Sequence, residues 1–516
     1  MTEPTSQTRP RIDVENDYID AEQLSYEEIL SIVSNRDDLS ILCLTFRTWF
    51  IGLFLTVIFS IVNQYCYFRT DTFSMSPMLV IVLSYPIGRL MHKILPAKTW
   101  HIPLINRNFS LNPGPFSIKE HVIIYVMVSA AQTTYAIDTV TVMRTIYSIK
   151  PNFIVNVLFI LSSQLIGYSI AGIMRRFLVW PSKLIWPGNL PYIALFRTLH
   201  EKDVVDCMAS PSRCWIIIPI FYYTNLWNSK TLPIATFDTV LVDTGNNFVL
   251  HGSTGTILFY GMYFASLSSI LIHTVLYHGR DIIKQFRTSL HRRDNDIHCK
   301  LMSKYPEVPE WWYGSIFILS FTCACIVMHF SHFMEWYFVC AGVGVALVYI
   351  LPTGILAAKT NQILNITAIG YIIAAVAIKD NPIAFLTFKT FVIQTQTQAL
   401  TLILYLKLSH FMKIPPRALF STVVIGTTVS VLTSYAMANY FLNNINGICV
   451  NNVSWTCPHT THSWISVASL WGENILSSQT AFIPPTGMYS SMLWFFLIGA
   501  LLPIAFWLLN KKYGTE

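Results

Sequence analysis

A series of apolar stretches, each close to the length an α-helix needs to cross a bilayer, constrains this chain more than any other feature. They fall at 41–62, 78–95, 121–140, 153–174, 256–276, 311–332, 336–358, 363–378, 417–441 and 488–509. A hydrocarbon layer about 30 Å thick takes about 20 helical residues, and within it every backbone polar group must find a partner inside the protein. Composition agrees, with 53% hydrophobic and only 12% charged residues, where a soluble domain carries about 25% charged. The expected fold is an all-α polytopic integral membrane protein occupying residues 41–512, with the lipid bilayer as its main surroundings. Three stretches are less regular. Segment 180–199 carries three prolines, 214–224 is apolar but too short to span, and 382–412 is long enough yet interrupted by Lys389, Gln394, Gln396, Gln398 and Lys407.

Charge placement sets an expected topology. The polar segment 278–310 holds Arg280, Lys284, Arg287, Arg292, Arg293, Lys300 and Lys304, so the positive-inside rule assigns it to the cytoplasm. Counting crossings from there puts Lys413 and Arg417 inside, 443–486 outside, and Lys511 and Lys512 inside. Residues 1–40 are rich in Asp and Glu and lack the basic start and early apolar run of a signal peptide. They read as an acidic cytoplasmic tail. In the outer loop, Cys449 and Cys457 flank the glycosylation pattern Asn452-Val453-Ser454; both chemistries suit an oxidising, extracytoplasmic face.

Several function classes are excluded or unsupported. The net charge of +7 comes from basic residues beside apolar runs and not from a stripe with interleaved aromatics, so nucleic acid is not an expected partner. His329 and His332 have metal-ligand spacing, as do His459 and His462, but neither pair has further ligands near it in the sequence, and no metal site is expected. Neither paired His-rich motifs nor a Gly-x-Ser-x-Gly elbow is present, so the chain reads as a non-enzyme.

Two short motifs stand out. Asn112-Pro113-Gly114-Pro115-Phe116 precedes Lys119-Glu120-His121 at the entry to an apolar helix. The prolines and glycine force a fresh helix start with unpaired N–H groups, which at membrane depth could hold a substrate carboxylate. Lys413-Ile414-Pro415-Pro416-Arg417 joins two apolar stretches; the double proline stops one helix and starts the next. This second motif reads either as a topology anchor or as a gating corner.

Together these motifs resemble the two signatures of the oligopeptide transporter (OPT) family, in its fungal peptide branch. Intervening stretches are similar in the same order: 135–140, Arg175-Arg176-Phe177-Leu178, 194–200, Tyr222-Tyr223-Thr224-Asn225 and His278-Gly279-Arg280-Asp281. The resemblance implies a multi-helix transporter bundle with broken or re-entrant helices. It implies proton-coupled import of peptides of about four or five residues, or glutathione, by alternating access, without a cofactor other than the coupling proton, at the plasma membrane. A related branch carries metal chelates. The chain departs from the family pattern in three places: further segments are expected between 209 and 213, more helices after Trp507, and an acidic residue after Asn365-Ile366-Thr367, where Ala368 stands. An incomplete, even non-transporting, copy is therefore also an expectation.

The resemblance makes Asn112 to Phe116 candidate substrate contacts, and Lys413, Pro415, Pro416 and Arg417 candidate gating residues. Charge inside a bilayer is costly and usually purposeful, which makes Glu120 and Asp138 the coupling candidates. Peptide mapping should recover Cys449 linked to Cys457; finding both alkylated without prior reduction would exclude the disulfide.

Overall fold

The computed structural model describes residues 32–33, 37–69, 74–96, 99–102, 107–130, 132, 135–181, 184–200, 240–243, 248–251, 254–280, 283, 297–364, 366–378, 381–445, 448, 455 and 494–513. Its long helices are α1 (Phe46–Tyr67), α2 (Pro77–Ile94), α5 (Phe153–Leu178), α7 (Thr254–His273), α9 (Glu310–Ser331), α10 (Tyr337–Thr360), α12 (Pro382–Met412), α13 (Pro416–Asn444) and α14 (Trp494–Tyr513). Shorter ones are α3 (Ile118–Ser129), α4 (Tyr135–Thr145), α6 (Leu190–His200), α8 (Ile297–Ser303) and α11 (Thr367–Ala377). Five of these helices, α1, α5, α9, α10 and α13, are long and apolar enough to cross a membrane. The strands among the described residues form two antiparallel hairpins, β1 (Thr99–Ile102) with β2 (Arg107–Ser110) and β3 (Val240–Asp243) with β4 (Phe248–His251). Cys449, Cys457 and Asn452 lie outside the described residues, as do most of the acidic tail and the junction at 209–213.

Local chemistry explains the helix limits. Thr45 caps α1 by accepting from Thr48 N, so the first span starts later than 41. Asn381 caps α12 by accepting from Ala384 N, with Pro382 in the first turn. At its far end Lys413 takes a left-handed conformation, φ 53°, and the double proline opens α13. The ends of the bundle can be told apart by this corner: one carries Arg417, the other Asn443.

Two expected spans are not continuous helices. The stretch 121–140 is broken into α3 and α4, and 363–378 yields only α11, 11 residues long. The proline-bearing segment 180–199 also turns back into the bundle: after α5 ends, Asn189 Nδ2 donates to Leu404 O, two turns inside the Arg417 end of α12, before α6 leads out again. Exposed backbone at that depth must be met by protein groups.

Helix α12 meets it. At 1.5 Å per residue its 31 residues run about 46 Å, longer than the hydrocarbon. Gln394, Gln396 and Gln398 are fully buried, and so are apolar neighbours on every side, including Phe388, Phe391, Val392 and Ile403. The polar interruptions of 382–412 are thus interior, not lipid-facing. By contrast α9 presents Trp311, Ile318, Leu319 and Phe330, each more than 60% exposed, as a helix against lipid should.

Close approach of α5 to α12 depends on Gly167, where a Cβ would lie 2.7 Å from Thr395 O and 3.1 Å from Ala399 N. Both are backbone atoms that cannot step aside. Gly167→Leu should therefore sharply reduce the yield of monodisperse protein in detergent chromatography, with Gly167→Ala intermediate; an unchanged profile would remove this packing constraint.

Candidate functional site

The first motif folds into a clamp at the Arg417 end. Ser117 caps α3 by accepting from Glu120 N at 3.2 Å, and the Glu120 carboxylate accepts from Ser117 N at 2.9 Å, a reciprocal capping box. The same carboxylate accepts from the Thr45 hydroxyl and from Arg47 Nη2, at 3.1 and 3.2 Å to its two oxygens. Arg47 and Glu120 are each 1% exposed, so each charge depends on the other. Arg47 Nη1 also donates to Asn112 Oδ1 at 3.0 Å and to Gly114 O at 2.9 Å. Asn112 Nδ2 donates to His92 O and Leu95 O, closing the C-terminus of α2. Gly114 has φ 156°, which L side chains rarely adopt, with open space around its Cβ position; the glycine is required by the backbone and not by crowding. Phe116 packs on Gly88 and on the His121 and His200 rings, while Pro113 and Pro115 are exposed.

The Asn112–Phe116 loop is therefore at the bundle end and not at mid-depth. Its buried polar groups are bonded to the protein itself, and Glu120 is held in the clamp. His121 and His200 are 3.0 Å apart, with His121 Nε2 against Ile81 O at 2.9 Å.

The second motif meets the first through the segment before α9. Lys119 Nζ donates to Asp37 Oδ1 at 2.7 Å and to Tyr305 OH at 2.8 Å, and Tyr305 in turn donates to Asp37 Oδ2 at 2.8 Å. Burial, then the hydrogen bond to Asp37, push the Tyr305 phenol far above its usual range, so it remains a donor. Two residues on, Arg417 Nε donates to Glu307 O at 3.0 Å, and Arg175 pairs with Glu310 at 2.6 Å and Glu307 at 3.7 Å. Lys413 Nζ donates to Phe411 O. Both signatures and the start of the described chain thus converge on 305–310.

A separate polar layer lies at mid-bundle on α12. Gln394 Oε1 accepts from Tyr135 N at 3.1 Å, at the start of α4, and Thr139 bonds Thr390 at 2.6 Å. Gln396 Oε1 accepts from Ile366 N at 3.0 Å, at the start of α11, while its Nε2 donates to Leu364 O at 2.9 Å. Each glutamine satisfies the backbone where one short helix begins. Toward the Asn443 end, Asp138 accepts from the Tyr67 hydroxyl and lies within electrostatic reach of Lys389 on α12. Asp138 is 5% and Lys389 2% exposed.

Sequence reasoning found Asp138 and the signatures but missed Arg47, Tyr305 and Lys389 as their partners, and read the α12 glutamines as mere interruptions. Three glutamines in five residues of an apolar run were the available signal. Among the described residues no cluster of His, Cys, Asp and Glu could hold a metal ion, and His329 and His332 are exposed.

The model of the OPT oligopeptide transporter protein family matches residues 43–213 and 207–516. The chain is 30% identical to Oligopeptide transporter 3 of Arabidopsis thaliana over 96% of its own length and 83% of that protein. It is 28% identical to Oligopeptide transporter 7 of the same plant, over 95% and 78%. It is also 28% identical to the sexual differentiation process protein isp4 of Schizosaccharomyces pombe, over 99% and 79%. The alignment with Oligopeptide transporter 3 spans 618 positions, more than the 516 residues of this chain, so that relative carries residues with no counterpart here. The two family matches meet at 207–213.

Removing one member of a buried ion pair typically costs about 3–5 kcal/mol, because the other charge stays buried and unpaired. Arg47→Met should accordingly lower the melting temperature in detergent by many degrees, and adding Glu120→Gln should recover part of the loss. A single variant as stable as the parent would remove the clamp.

Proposed function

The chain belongs to the oligopeptide transporter family, and from that premise we propose that it is a secondary active transporter importing short peptides, of four or five residues or glutathione, together with protons. The observation that carries the proposal is the polar layer on α12, where the backbone of α4 and α11 begins at mid-bundle among fully buried amides. Interrupted helices of this kind give transporters a polar interior site that two alternating openings can reach. No catalytic step is part of the proposal.

Asp138 is the coupling residue in this reading. A carboxylate and an ammonium inside an apolar bundle each cost about 3 kcal/mol or more unless they serve one another. The pair joins α4 to α12, so a proton taken by Asp138 weakens the attraction between a short, interrupted helix and the central one. Protonation thereby becomes movement. Glu120 is the weaker candidate, since its bonds to Arg47, Thr45 and Ser117 tie the end of the bundle together. The salt bridges around Tyr305 to Glu310 would serve as the gate on the Arg417 side, taken as cytoplasmic from the charge placement, with the plasma membrane as the site of action.

Uptake of labelled tetrapeptide and glutathione, in cells with checked surface abundance, should be greater at acidic than at neutral external pH. Asp138→Asn should remove the pH dependence and reduce accumulation at least tenfold. Full pH-dependent uptake by that variant would rule out Asp138 as the coupling site. A complete lack of uptake by the parent chain at normal surface abundance would favour a second reading, a non-transporting copy, for which the observation is the relative's longer aligned span.

A further inference from the structure

The stretch just before α1 is bound to the bundle at every few residues. Lys119 Nζ donates to Asp37 Oδ1 at 2.7 Å and to Asp38 O at 2.8 Å, and the Tyr305 hydroxyl closes the triangle by donating to Asp37 Oδ2. The Lys119 and Asp37 side chains are 5% and 4% exposed. Ser40 folds back on the Asp38 carboxylate through both its N–H and its hydroxyl. Cys43 is buried, its carbonyl accepts from Thr48 Oγ1 in the first turn of α1, and Thr45 bonds Glu120. Leu39, Leu42 and Leu44 face outward. Residues 37–45 therefore lie across the Arg417 end, touching α1, α3 and the segment before α9.

Two sets of contacts meet at this stretch. Arg47, Glu120 and Asn112 join α1, α3 and the end of α2, whereas Arg175, Arg417, Glu307 and Glu310 join α5, α13 and the start of α9. Asp37 reaches Lys119 beside the first set and Tyr305 beside the second. A buried ammonium is tolerable next to a carboxylate and very costly without one. Once Asp37 moves away, the Tyr305 hydroxyl cannot neutralise Lys119, and water has to come in. Release of residues 37–45 and wetting of this end are thus one event, which the attraction between Asp37 and Lys119 holds back.

We infer that residues 37–45 are a strap that keeps the gate on the Arg417 side shut, with Asp37 as its catch. The inference rests on the transport reading above and adds to it the element that must let go before this side opens.

Cys43 lies in the strap and reports on it. Burial pushes its thiol up to about 11, and the thiolate is the species that is alkylated, so its labelling rate follows the time it spends uncovered. The test treats the full chain in lipid nanodiscs, without peptide, with N-ethylmaleimide and follows each cysteine by mass spectrometry. Asp37→Ala should speed labelling of Cys43 about tenfold or more, while Cys66, half-buried at the far end of α1, keeps the parent's rate. Tyr305→Phe, which leaves Asp37 on Lys119 but removes its second bond, should fall between. Amide hydrogen exchange over 305–310 should rise in Asp37→Ala as well. An unchanged Cys43 rate in that variant overturns the strap, and so does equal acceleration at Cys66, the mark of general loosening. Fast Cys43 labelling with unchanged exchange over 305–310 also overturns it, since the stretch would then cover this end without holding it shut. Uptake by cells is scored separately: no uptake by the parent, with faster Cys43 labelling and faster exchange in the variant, removes the transport reading and leaves the strap's hold on this end.

Discussion

Backbone that leaves helical geometry inside a bundle has to be paired there, and α12 is where this chain does it. Gln394 takes the N–H that opens α4, Gln396 bridges Leu364 O and Ile366 N at the start of α11, and the Leu404 carbonyl receives Asn189 where the chain turns back before α6. Remove those acceptors and donors, and three interruptions would each leave polar backbone without water or protein to meet it. The choice of glutamine is physically apt. An amide offers a donor and an acceptor without a charge, so it can bridge both sides of a break without the desolvation cost of an ion.

The Arg417 end is built by different means. There the linkages are ionic and converge: Arg47 with Glu120, Lys119 with Asp37 and Tyr305, Arg175 with Glu307 and Glu310. The short segment 305–310 touches both sequence signatures, so motifs about 300 residues apart in the chain are parts of one assembly. The two linkages that are buried on both sides, Arg47 with Glu120 and Lys119 with Asp37, stabilise little compared with well-packed apolar groups but are very sensitive to the loss of one member.

Much of this was legible in the residues, for reasons that can be named. Span lengths follow from hydropathy, so α1, α5, α9, α10 and α13 were readable, and the Lys413 to Arg417 corner follows from proline chemistry. The interruption between α3 and α4 was missed because 121–140 contains neither proline nor glycine and its polar run Gln132-Thr133-Thr134 reads as part of one apolar span. Its interruption is imposed from outside by Gln394 and Tyr168, which reward a non-helical backbone at that point. Arg47 was hidden for a similar reason. It looks like a charge near a helix start until Glu120, 73 residues away in sequence, is placed beside it.

The sequestered position of α12 bears on how the protein is made. A helix emerging from the ribosome enters the bilayer according to its own residues, each charged one near the centre opposing entry by about 2.5–3.5 kcal/mol. With Lys389, Lys407 and three glutamines, α12 is not among the segments apolar enough to span alone. Its polar groups are acceptable only once α4, α5, α10 and α11 surround them. The helix around which the finished bundle is organised is therefore one of the least able to insert by itself, and membrane integration of this chain depends on earlier spans waiting unfilled until α12 arrives between them.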